Sequence, residues 1–175
     1  MSISMLAVFV LLLGLLMLSS YMDRLYAEIG KFLSREFQDN VDAYETHVEP
    51  RLGATRDRAT LSMVLVRQLT VAALALLVGY NTFFGHPWDV PDVLEAAAGM
   101  LFFITIFGHV VPYFLFAYTE GLWLQRITLL LRILIWVMMP ITVILGFSQS
   151  VAALTSGNGE DGESPVFKFV PAAAQ

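Results

Sequence analysis

The sequence predicts an all-α integral membrane protein with three transmembrane helices, a cytoplasmic helical hairpin after the first, and a fourth helix. Hydrophobic residues make up 57% of its 175 residues and charged residues only 14%, with a mean hydropathy of +0.69. Soluble domains carry about 25% charged residues. Several apolar runs also approach the ~20 residues that span a bilayer. The lipid bilayer is therefore the first predicted partner.

Composition excludes several other classes of protein. The chain has no cysteine, so disulfides and thiolate metal sites are excluded. Its net charge of −5 and the lack of a long basic run argue against a nucleic-acid partner.

The first predicted span covers residues 3–22, which carry no charge. The segment lacks a basic start and a small-residue cleavage pattern, so we expect a retained helix rather than a removed signal peptide. In residues 23–37 apolar positions recur at helical spacing among charged ones, which predicts an amphipathic helix at the membrane surface. A solvated helix packed on its neighbour fits the same pattern.

A hairpin is predicted next, with a turn at residues 38–40 and a short helix over residues 41–48. Pro50 is expected to end that helix and Gly53 to loosen the chain. The second span is predicted at residues 61–84. Arg67 near its start is close enough to the helix end to extend its charge to the interface.

Residues 94–118 form the predicted third span, after a short loop at 81–91. Residues 122–150 are apolar but carry arginines and tryptophans, so this stretch is either a fourth span or a helix along the inner surface. We expect residues 1–155 to form one transmembrane domain and residues 156–175 to be a disordered acidic tail.

Basic residues indicate the orientation. Six lie between the first and second spans, none lies between the second and third, and Arg126 and Arg132 closely follow the third. The positive-inside rule then places the N-terminus outside, with the hairpin and the C-terminal tail in the cytoplasm.

Polar residues of three spans are expected at similar depth, in the inner half of the membrane. Ser19 and Asp23 end the first span, Gln68 lies one to two turns into the second, and Thr105 and His109 lie in the third at i, i+4 spacing. We predict that they form one polar cluster, which lines an ion path in a transporter or forms a structural hydrogen-bond network in an accessory subunit. The alternative is a set of independent helix-end residues.

The third span contains Gly108, His109 and Pro112 within FFITIFGHVVPYFLFAY. Gly108 and Pro112 are predicted to break the helix, which would free backbone carbonyls. A histidine at this depth requires surrounding protein, either as a hydrogen-bonded packing residue or as part of a site that handles an ion or a partner.

Three segments resemble the transmembrane domain of the cyclin M / CorC / HlyC-type magnesium transporter family. FGHVVPYFLF is similar to that family's F-G-E-I-I-P-K segment, LSSYMD to L-S-x-F-F-S, and LVRQLTVAAL occupies the place of L-V-G-N-T-L-V-N. The order of elements agrees from residue 5 to residue 147. The resemblance implies a dimer, a belt helix after the third span and Mg²⁺ as a possible ligand.

The chain departs from the family at the positions that face the cation. His109 replaces the acidic residue, Tyr113 the lysine and Asp23 the second serine, while Gln68 and Ala72 replace two asparagines. Magnesium prefers oxygen ligands, carboxylates above all, and imidazole nitrogen is a poor substitute. CBS and CorC-like regulatory domains are also not found in these residues.

Two functions follow from the sequence. The first is a non-transporting accessory or structural subunit of a membrane complex, and the second is a reduced divalent-cation transporter. An enzyme is not expected, because His47, His86 and His109 lie on separate segments and no catalytic motif is present. No cofactor is evident. We expect a bacterial plasma-membrane protein that forms a homodimer or joins other subunits.

Overall fold

A computed structural model describes residues 3–29, 38–83 and 89–156, with only the backbone of 148–156. Its described part is 93% helical and has no strands, and four helices are long and apolar enough to cross a membrane. The predicted all-α fold class is confirmed. The helices are α1 (Ile3–Ile29), α2 (Gln38–Ala43), α3 (Glu49–Leu52), α4 (Arg56–Phe83), α5 (Val90–Thr105), α6 (Val111–Tyr118) and α7 (Leu124–Ser156).

Contacts divide the chain into two units, Met1–Thr142 and Val143–Gln175. The second unit consists, in its described part, of the last turns of α7. All packing described below lies within the first unit. The predicted tail at 156–175 lies outside the described residues, apart from Ser156 at the end of α7.

Helix α1 is the element around which the first unit packs. It runs antiparallel along α4 and also contacts α2, α6 and the turn before α6, while α4 packs on α5 as well. The helix does not end at Met22 as predicted but continues to Ile29. Leu25 and Ile29 are buried in the extension, so packing carries the helix past the first charged residues. Residues 30–37 of the predicted amphipathic helix lie outside the described part.

The hairpin is helical where a turn was predicted. Helix α2 already begins at Gln38 and leads into a π-helical turn, Tyr44–Val48. The prediction that Pro50 ends this helix is also wrong, because Pro50 lies in the first turn of α3, where its missing N–H costs no helical bond. Gly53 ends the hairpin with a φ of 67°.

Most buried side chains form one cluster where α1, the hairpin, α6 and α7 meet. Tyr21, Met22, Leu25, Tyr44 and Leu124 are all fully enclosed there. A smaller cluster joins Leu13 and Leu16 of α1 to Leu74 of α4. The larger cluster therefore holds the hairpin against the helices that follow it.

Arg56 joins the hairpin to the start of α4. Its guanidinium donates to both carboxylate oxygens of Glu49, at 3.1 and 2.6 Å, and to Glu45 at 3.2 Å. Two carboxylates one turn apart thus share one arginine across the Gly53 turn.

The third apolar helix, Val90–Tyr118, contains a π-helical turn that includes Gly108 and ends before Pro112. Asp89 caps the N-terminus of α5, and a π-helical turn, Ile106–Val110, separates α5 from α6. A short turn follows Tyr118, in which Gly121 has a φ of 70°. Helix α7 then continues through Pro140 to Ser156.

Candidate functional site

The candidate site is the α5–α6 π turn together with the face of α1 that packs on it. Gly108 is buried there, and a Cβ built on it would lie 3.9 Å from Ser20 Oγ and 4.0 Å from Leu16 Cδ1. These are ordinary van der Waals distances, so the turn packs on the serine of α1 with room for a Cβ between them.

The π turn leaves backbone carbonyls without helical donors. The N–H of Val111 bonds to the carbonyl of Ile106, five residues earlier, so the ladder shifts by one residue. Pro112 follows and has no N–H, so a carbonyl one turn earlier lacks its main-chain partner. Such carbonyls need another donor or a cation when water is excluded.

Ser20 lies on the α1 side of this turn and is 3% exposed. Its Oγ has no hydrogen-bond partner among the described residues. The neighbouring Ser19, which was the predicted site residue, is also buried but donates back to the carbonyl of Leu16 at 3.1 Å. Ser19 therefore satisfies its own helix, and Ser20 is the hydroxyl that faces the turn.

Arg24 lies one turn beyond Ser20 on the same face of α1. Its guanidinium donates to the carbonyl of His109 at 3.5 Å, and its Cζ lies 5.5 Å from the ring centroid of Tyr113. The arginine thus contacts a π-turn carbonyl and makes a cation–π interaction with α6. A positive side chain already occupies this side of the turn.

Asp23 points to the other neighbour of α1. Its Oδ2 accepts from Arg67 of α4 at 2.5 Å, and the two side chains are 37% and 31% exposed. Arg67 was expected to extend to the interface alone, but it forms an ion pair. Asp23 is consequently neutralised by the chain itself.

The five predicted site residues do not form one enclosed cluster. Ser19 is buried and Asp23 is partly buried in its ion pair, but Gln68, Thr105 and His109 are exposed. Thr105 and His109 are both exposed, so neither side chain points into the packed interior. Only the backbone of His109 reaches the candidate site.

A second polar junction was missed by the sequence reasoning. The hydroxyl of Tyr21 donates to Asn40 Oδ1 at 2.8 Å, and Asn40 Nδ2 donates to the carbonyl of Phe116 at 2.9 Å. Asn40 is 4% exposed and so links α1, α2 and α6 inside the larger cluster. The polar residues 38–40 predict a turn, and no local pattern distinguishes a buried asparagine from an exposed one.

Within the described residues no group of three or more histidine, cysteine or acidic side chains could hold a metal ion. The site offers the hydroxyl of Ser20, backbone oxygens of the π turn and the guanidinium of Arg24. Comparison of the chain with protein-family models, curated proteins and solved structures finds no match. Its class follows from the fold alone, as an all-helical protein with four helices apolar enough to cross a membrane.

Proposed function

We propose that the chain is a non-transporting structural or accessory subunit of a membrane complex, built on a cyclin M / CorC-like transmembrane fold. The observation that carries this proposal is the contact of the Arg24 guanidinium with the carbonyl of His109. A cation carrier would present that carbonyl to its ion, whereas this chain pairs it with its own side chain.

The charge around the π turn supports the same proposal. The Asp23–Arg67 ion pair faces α4 and carries no net charge, so the charged side chain that contacts the turn is the guanidinium of Arg24. A positive local charge raises the free energy of a bound divalent cation. The exposed His109 supplies no carboxylate to offset it.

The resemblance and the distribution of basic residues extend the proposal to location and partners. We place the N-terminus outside, the hairpin and the C-terminal tail in the cytoplasm, and the chain in a bacterial plasma membrane. It would act without catalysis, as a homodimer or beside different subunits. Its lipid-facing surface would be the exposed apolar side chains of the four long helices.

Purification from the native membrane in a mild detergent, followed by native mass spectrometry, tests this proposal. An accessory subunit is recovered at a fixed ratio with other chains. A homodimer without a stoichiometric companion, together with Mg²⁺ uptake when it is reconstituted in liposomes, contradicts it.

A reduced divalent-cation binder is the second candidate, and one observation favours it. Ser20 Oγ is buried without a partner and faces the π turn, where backbone oxygens are available. If Mg²⁺ binds there, it should raise the melting temperature, and Ser20→Ala should abolish that rise. Ser62→Ala is the matched control, because Ser62 is equally buried but donates to the carbonyl of Arg58. No Mg²⁺ response in the unmodified chain excludes this candidate.

A further inference from the structure

A groove lies between α1, α4 and α5 at the end of the bundle opposite the hairpin. Its volume is about 430 Å³, within the range of ligand sites in proteins. Phe9 of α1, Thr82 of α4 and Phe103 of α5 contribute to its wall. None of its lining residues takes part in the candidate site described above.

The groove changes from acidic to apolar along α5. Asp92 and Glu95, three residues apart on one helix face, line one end, and Phe103 lines the other. Phe103 packs edge-to-face on Phe9, with ring centroids 5.3 Å apart, which closes the apolar end. The eleven residues from Asp92 to Phe103 rise about 16 Å, close to half of the ~30 Å hydrocarbon thickness.

The middle of the groove is open. A Cβ built on Gly99 meets no atom within 4 Å, so this part of α5 faces empty space. Asp92 and Glu95 are exposed, and the groove is therefore accessible from the side of the bundle. A lipid chain can enter from the bilayer without a change in helix packing.

The charge of the groove determines which lipid headgroup it can bind. Its lining includes two carboxylates and no basic side chain, and all of these lining residues belong to the described part of the chain. Carboxylates attract an ammonium group and accept its N–H donors, whereas they repel an anionic headgroup. The apolar end is one leaflet deep and matches an acyl chain rather than a small soluble amine.

We propose that this groove binds one membrane lipid with a primary amine headgroup, its ammonium paired with Asp92 and Glu95 and one acyl chain extended toward Phe9 and Phe103. The lipid belongs to the leaflet in which α5 begins. The inference requires that the helices lie in a bilayer, and it holds whether or not the chain binds a cation or another subunit.

Native mass spectrometry of the delipidated chain tests the inference. Phosphatidylethanolamine, phosphatidylcholine and phosphatidylglycerol with identical acyl chains are added separately, and the fraction of protein that retains one lipid is measured. We expect phosphatidylethanolamine to be retained at least about fivefold more than phosphatidylglycerol. Phosphatidylcholine should lie between them, because its quaternary ammonium has the charge but no N–H donor.

Three variants test the headgroup contact and the acyl-chain contact separately. Gly99→Leu fills the groove and should lower retention of phosphatidylethanolamine to the level of phosphatidylglycerol. The control Ala97→Leu adds a leucine to an exposed position of the same helix outside the groove and should leave retention unchanged. Asp92→Asn with Glu95→Gln should retain lipid but lose the headgroup preference.

The proposal is overturned if phosphatidylglycerol is retained as well as phosphatidylethanolamine in the unmodified chain. It is equally overturned if Gly99→Leu behaves as Ala97→Leu does. Loss of the preference in the double carboxylate variant, with lipid still bound, supports it independently of Gly99→Leu.

Discussion

Asn40→Ala should destabilise the chain more than any other single polar substitution in the hairpin. The change leaves the hydroxyl of Tyr21 and the carbonyl of Phe116 without their partner in a buried cluster. Each buried unsatisfied group costs about 1–3 kcal/mol. Because the Thr119 hydroxyl lies near the Tyr21 hydroxyl and can accept its proton in place of Asn40, we expect a total loss of about 2–4 kcal/mol. Reversible unfolding in mixed micelles measures it.

A double-mutant cycle with Tyr21→Phe tests the reasoning behind this magnitude. Tyr21→Phe alone leaves Asn40 Oδ1 without its hydrogen-bond donor and should cost about 1–2 kcal/mol. The same change should cost almost nothing in the Asn40→Ala background. Asn81→Ala, at an exposed position, is the matched control and should change the stability by less than about 0.5 kcal/mol. If the Tyr21 and Asn40 losses are additive, or if Asn40→Ala matches Asn81→Ala, the buried junction does not stabilise the fold.

Two further predictions concern the same cluster. Gly121→Ala should cost about 2–4 kcal/mol in the same unfolding assay, because a positive φ costs about 1–2 kcal/mol and the new Cβ would lie 3.0 Å from Asn40 Oδ1. Gly53→Ala, which has a similar φ but open space around it, should cost only about 1–2 kcal/mol. Equal losses in the two variants would contradict the packing argument. Burial raises the pKa of Tyr44 to about 12, so the folded chain keeps this proton after the unfolded chain has released it near pH 10. The contribution of Tyr44 to stability should therefore be constant below pH 10 and fall by up to about 1.4 kcal/mol per pH unit between pH 10 and 12, and melting curves of Tyr44→Phe should show a smaller fall over that range.

The helices could be predicted from the sequence because their signal is local. Apolar runs near 20 residues long identify the four long helices, and Gly108 with Pro112 marks the break in the third. The positions of the ends were less predictable. Helix α1 extends to Ile29 because Leu25 and Ile29 are buried against other elements, and that burial depends on contacts far along the chain.

The rotation of each helix could not be predicted, and the site depends on it. Thr105 and His109 share a face by spacing alone, but the residues around them are apolar on every side, so no amphipathic pattern shows which face is packed. In a membrane helix the lipid-facing and the packed faces are both apolar. In the structure Gly108 is buried and the His109 side chain is exposed. Tertiary contacts alone determine this rotation of the helix.

The same argument explains why the sequence predicts Ser19 and Asp23 as site residues, whereas the structure places Ser20 and Arg24 at the π turn. Ser19 and Asp23 are also one turn apart, and nothing in LSSYMDR distinguishes the two pairs. The packing of α1 decides between them, since one pair faces α4 and the other faces the π turn. A helix that contacts neighbours on both sides can serve two separate polar junctions from adjacent positions.

These two junctions together determine what the broken helix can do. A π turn followed by proline leaves carbonyls without a helical donor. Within a membrane, where water is excluded, such carbonyls need another donor or a cation as a partner. Arg24 supplies a fixed donor to the carbonyl of His109, and the carboxylate of Asp23 is neutralised by Arg67. Two groups that could serve an ion in another chain are therefore paired within this one. A permanent internal cation suits a rigid packing element, and that is why the geometry supports a structural subunit better than a carrier.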